Sequence, residues 1–191
     1  GAVAWAMALA PLKVYMDVEE SQADLRKMLG NEAQKYYGKL REISDNSPLS
    51  QPQVFEIAGS LAQSGIDGKD LVEYTKKANQ IALAFNMGTE EAGEFLAKTK
   101  AQLNLGTKEL FAYADTINYL SDNTASKAIE ITEISQRVAS LGGIAGVSRE
   151  SVAAFGATLV SAGVGPERAS TGLKNLYVDL SKGASATNTA K

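Results

Sequence analysis

Glu130 and Glu133 stand one helical turn apart, the spacing at which two carboxylates share a metal ion or divide acid and base work. Neither has further ligands at a useful interval, and exposed carboxylates at that spacing are ordinarily solvated. The glycine run Gly142-Gly143-Ile144-Ala145-Gly146 is the nearest approach to a phosphate-binding loop. It lacks the lysine and hydroxyl residue of such loops, and no strand pattern precedes it. Lys35, Lys39 and Arg41 are basic, but acids stand beside them at Glu32 and Glu42, as on a solvated helix face. The sequence contains no histidine and no cysteine. Imidazole bases, thiolate nucleophiles, Cys/His zinc sites and disulfide frameworks are thereby excluded. No residue is assigned a catalytic, cofactor-binding or metal-ligating role, and no enzyme activity is expected.

The elements that would carry any site are helices. Of 191 residues 29 are alanine and only four are proline, and nowhere do β-branched residues alternate as they do in strands. Hydrophobic residues make up 45% and charged residues 21%, a globular balance. A net charge of −3 leaves no electrostatic footprint for sequence-specific nucleic-acid binding. The apolar run Ala2–Leu12 is shorter than the roughly 20 residues a spanning helix needs, and no basic start marks a signal peptide. It reads as a helix end packed on the body, the alternatives being the stump of a membrane-active segment or a disordered end. The fold class expected is all-α: a compact bundle of short helices joined by glycine-containing turns, preceded by a longer helical arm.

The arm covers 1–47. Leu25, Met28, Leu29, Tyr36, Leu40 and Ile43 recur at spacings of three, four and seven, with a break expected at Gly30. Ser44–Pro52 is the clearest loop. A core domain then spans 53–183. Its first face is Val54, Ile57, Ala58 and Leu61, stopped at Gly65. The next is Leu71, Tyr74, Ala78, Ile81, Ala82 and Phe85, stopped at Gly88. Thr89, Thr107 and Ser148, each closely followed by a glutamate, read as helix caps. A helix from Thr124 to Leu141 carries Ala128, Ile131, Ile134 and Val138. Another from Ser148 to Ala162 carries Val152, Phe155 and Leu159. The last starts at Pro166 and carries Ala169, Leu173, Leu176 and Leu180. Tyr74, Phe85 and Phe155 are expected in the core; Tyr36, Tyr37 and Tyr113 are left open between core and contact. Residues 184–191, poor in apolar side chains, are expected to fray into a disordered end. Residues 60–66 echo 158–164 at an offset of 98, although no steady repeat length follows from the echo.

The succession of helix, glycine and cap from Val54 to Leu180 resembles the core region of phage tail tape-measure proteins. The matching stretches are SLAQSGIDGKDLVEYTKKA (60–78), the section 85–124, EITEISQRVASLGGIAGVSRESVAAFGATLVSAGV (130–164) and GPERASTGLKNLYVDLSKG (165–183). Their most specific parts are Ala114-Asp115-Thr116-Ile117-Asn118-Tyr119-Leu120, Gly163, and Glu167-Arg168-Ala169-Ser170-Thr171 followed by Leu173. The resemblance implies a structural, non-enzymatic segment of a virion tail, lying in the tube lumen after assembly in the host cytoplasm. It implies a part in setting tail length, with the chain ejected ahead of the DNA. Implied partners are the tail tube, the tail tip or baseplate and tail assembly chaperones, with several copies in the lumen. Membrane contact is implied only for other parts of a longer chain. No cofactor or site residue is carried over. The alternative is a free-standing helical adaptor that binds a peptide or partner helix. A ruler works through length, whereas short helices broken by glycines fold back on themselves, so the expectation is a folded domain within a longer ruler.

Overall fold

The computed structural model describes the backbone of residues 2–66 and 68–189 and the side chains of 13–66 and 68–183. Every regular element among them is helical. In order these are α1 (Ala2–Leu29), a 3-10 turn (Gly30–Ala33), α2 (Gln34–Asp45), α3 (Gln51–Gln63), α4 (Asp70–Ala84), α5 (Thr89–Leu103), α6 (Thr107–Asn123), α7 (Ala128–Ile144), α8 (Arg149–Ser161) and α9 (Pro166–Thr189). The chain divides into two compact units, Gly1–Lys98 and Thr99–Lys191. The side chains of Ala2–Leu12 and of 184–191 lie outside the described residues, so neither the packed start nor the frayed end is addressed; the backbone of α9 continues to Thr189.

The first unit is organised by α3, which packs against α1, α2 and α4. Its face matches the sequence pattern: Val54, Ile57, Ala58 and Leu61 are fully buried, with Leu25, Leu40, Leu71 and Tyr74 around them. α1 ends where expected, at Gly30, whose φ of +60° an L side chain resists. The chain turns within this unit at 46–50, a shorter loop than the Ser44–Pro52 expected, because α2 runs to Asp45 and α3 starts at Gln51; the loop is tied down by the Ser47 hydroxyl, which donates to Asn79 Oδ1 at 2.8 Å. The Tyr37 ring leans on Phe55 with centroids 5.4 Å apart, and its hydroxyl donates to the Gln22 carbonyl at 3.0 Å. The first half of α5 lies on α3: a Cβ on Gly93 would stand 2.9 Å from Ser60 Oγ, so only glycine permits this approach. Phe85 and Phe95 meet edge to face at 5.7 Å beside it.

In the second unit α7 packs against α6, α8 and α9 around Ile134, Val138, Val152, Ala169, Leu173 and Tyr177. The approach of α7 and α8 is set by two glycines. A Cβ on Gly142 would lie 2.6 Å from Val152 Cγ2, and one on Gly156 would lie 3.0 Å from Ile134 Cγ2.

The echo at offset 98 extends to whole units. In each, four successive helices repeat the same pairings: first with third, second with third, second with fourth and third with fourth. The third helix begins at a serine in both, Ser50 and Ser148. It ends at Gly65 and Gly163, with φ of +85° and +86°. The next residue then bonds back to Leu61 (2.9 Å) or Leu159 (3.0 Å), closing the helix end in the same way.

Several local expectations are corrected. Thr89 and Thr107 are first helical residues rather than caps; Gly88 and Gly106 take the cap position. Their N–H groups donate to the carboxylates of Glu91 (3.4 Å) and Glu109 (3.1 Å). Ser148 is a cap as expected, accepting from the Ser151 N–H at 3.1 Å. α4 ends at Ala84, before Gly88, and Asn86 just beyond it supplies the left-handed residue, with φ of +52°. On α8 the buried stripe is Val152, Ala153, Gly156 and Ala157, leaving Phe155 50% exposed. The close α7–α8 contact through Gly156 turns small residues inward, where phenylalanine does not fit. On α9 Tyr177 takes the inward place expected of Leu176, and Leu176 and Leu180 stay about half exposed (49% and 47%).

Candidate functional site

The paired carboxylates are structural. Glu130 reaches back to the Lys127 N–H at 2.8 Å and so caps the start of α7, where backbone N–H groups lack partners and the helix dipole favours a negative charge. Glu133 pairs with Arg137 at 2.5 Å one turn later. Both carboxylates are thus engaged locally and do not converge on a common point. Among the described residues no group of three or more acidic side chains is arranged to hold a metal ion. No helix among them is long and apolar enough to cross a membrane.

The glycine run has a packing role. Gly142 allows α8 to approach, and its carbonyl accepts the Val147 N–H at 2.7 Å as α7 ends. Gly146, at φ +74°, then reverses the chain into the Ser148 cap of α8. The N–H groups that a phosphate loop would present are spent on the helix end and the next helix start. Lys35, Lys39 and Arg41 are exposed on α2, with Lys35 held by Glu32.

Of the tyrosines left open by the sequence, Tyr113 is buried (1% exposed) and Tyr37 is half-buried against Phe55. Burial pushes the Tyr113 phenol up to about 12, the neighbouring Ser135 hydroxyl pulling weakly the other way. Neither hydroxyl has a well-aligned hydrogen-bond partner in the protein, nor do the buried hydroxyls of Thr132 and Tyr177. A buried hydroxyl without a partner costs stability, and burial keeps these four from meeting a ligand at the surface.

Two of the grooves on the first unit lie between pairs of helices. One, of about 680 Å³, runs between α2 and α4, where Lys39, Lys76 and Glu42 surround Ile43 and Leu83. The other, of about 520 Å³, runs between α1 and α3 and carries mainly carboxylates on its rim. Sequence reasoning missed both, because each is formed by helices whose facing residues are far apart in the chain. Neither assembles a nucleophile, base and oxyanion donors of the kind catalysis requires.

With the geometry offering surfaces rather than a reaction centre, comparison with known proteins decides the class. Residues 38–191 match the family model of phage-related minor tail proteins. The chain is 30% identical, over 95% of its length, to a probable tape measure protein of Halomonas phage phiHAP-1. It spans 23% of that relative's length. No solved structure matches. A family match over most of the chain, from within α2 through α9, places this chain in the phage-related minor tail protein family.

Proposed function

We propose that this chain is a folded segment of a tape-measure protein, one that helps to set tail length and to assemble the tail tube and later leaves ahead of the DNA. The observation that carries the reading is the 30% identity with a probable tape measure protein along nearly all of the chain. The family supports a structural place in the virion tail rather than a catalytic one. On this reading the partners are tail tube, tail tip or baseplate and assembly chaperones. Several copies lie in the tube lumen, and the protein meets its chaperones in the host cytoplasm. Two separately packed units of short helices would give a chain that opens in steps as it is threaded into or out of a narrow tube.

The test is an in-frame deletion of 54–180 in the parent phage, with tail length measured by electron microscopy. A segment stretched as continuous helix in the tube spans about 1.5 Å per residue, so tails should shorten by about 190 Å. Tails of unchanged length would overturn the ruler reading for this segment. Loss of all tails would assign the segment to assembly itself.

A further inference from the structure

The groove between α1 and α3 has features that packing within the unit does not require. Its floor is Leu25 and Phe55, both buried, and its lining is mainly apolar, with Met28 left 48% exposed at one edge. Five carboxylates stand around it: Asp17, Glu20 and Asp24 on α1, Glu56 on α3 and Glu90 on α5. The one cation among the described lining residues, Lys27, is already paired with Asp24 at 2.6 Å. The rim is therefore strongly anionic over an apolar strip.

Gly59 also lines this groove, from the interior of α3. At Gly59 a Cβ would meet nothing within 4 Å. A longer side chain at 59 would therefore stand in the groove rather than against neighbours within the unit. The α1 side of the groove is a long, mostly acidic ridge. Val14, 60% exposed, lies on the same stripe of α1 as Asp17, Ser21, Asp24 and Met28. From 14 to 28 that stripe runs for about 21 Å, four turns of helix.

From this we infer that the α1–α3 groove is a docking site for an amphipathic helix of another protein segment, its apolar face on Met28, Phe55 and Gly59 and its flanking lysines or arginines against the carboxylate rim. Length argues for a helix over a small molecule, and charge sets the sign of its flanks. The inference stands on the first unit alone and is independent of the tail reading.

The experiment uses the 191-residue chain, labelled with 15N, and titrates in an 18-residue Leu/Lys amphipathic helix, with its Leu/Glu counterpart as the control. Amide shifts should concentrate on 14–28 and 52–63 for the cationic peptide, with affinity falling as salt is raised. Asp17→Lys with Glu20→Lys should weaken binding roughly tenfold, since exposed attractions become repulsions. Gly59→Gln should fill the wall and weaken binding by a similar factor, while circular dichroism shows the helices intact. Charge reversal at Glu167 in the second unit should leave affinity unchanged. Equal binding of the Leu/Glu peptide, shifts spread over both units, an equal loss on reversing Glu167, or full affinity in Gly59→Gln would each overturn the inference.

Discussion

Gly142→Ala tests the account of how α7 and α8 meet. The new methyl would lie 2.6 Å from Val152 Cγ2 and 3.7 Å from the Tyr177 ring, both on fully buried residues. Valine is stiff at χ1 within a helix, so it does not swing away, and the helices must separate or strain. Overpacking of this kind costs about 1–3 kcal/mol. Alanine for glycine inside a helix returns about 0.5–1 kcal/mol, which blurs the single measurement. Gly172→Ala in α9 separates the two effects, because a Cβ there meets nothing within 4 Å and only the propensity gain remains. In urea titrations followed by far-UV circular dichroism, Gly142→Ala should lie below Gly172→Ala by about 1–3 kcal/mol. For a unit of this size, a difference of that order moves the midpoint of thermal unfolding by at least about 4 °C. Adding Val152→Ala should recover part of the loss, with a coupling of about 0.5–3 kcal/mol. If Gly142→Ala stabilises as much as Gly172→Ala, or if Val152→Ala shows no coupling to it, the close approach of the two helices is refuted.

Tyr113 should titrate near 12, and since its folded value lies above the ordinary 10.0, the proton is held more tightly in the folded state. The stability this contributes is fully present below pH 10 and is lost as the pH rises from about 10 to 12, by roughly 2–3 kcal/mol. Tyr113→Phe should remove that alkaline loss and, by deleting a hydroxyl without a partner, hold or raise stability at neutral pH; denaturation at both pH values reads the two effects. Ser148→Ala removes the side-chain cap of α8 and should cost about 1 kcal/mol. Glu130→Ala removes the carboxylate from the start of α7 and should cost about 0.5–1 kcal/mol, with no difference between chelator and added divalent cation in the same melts.

The sequence by itself determined the helices and most of their inward faces. A period near 3.6 in apolar residues is a local property, and so the spacing of Val54, Ile57, Leu61, Leu71, Tyr74 and Ile81 is enough to place them on buried faces. Breaks at Gly30 and Gly65 are equally legible, because a positive φ favours glycine whatever surrounds it. Family resemblance is legible too, as a succession of such local signals. Which neighbour each helix meets, and how closely, is decided only by tertiary structure. Phe155 and Val152 look alike on a helical wheel, and only the Gly156–Ile134 contact explains why the phenylalanine turns outward. Glu130 and Glu133 look like a pair in the sequence, yet the backbone and Arg137 claim one each. The anionic groove joins residues of α1, α3 and α5 that no window along the chain brings together. Local periodicity fixes which side of a helix is buried; the partner and the distance come from packing between segments far apart in sequence, where a single missing Cβ sets how near two helices can stand.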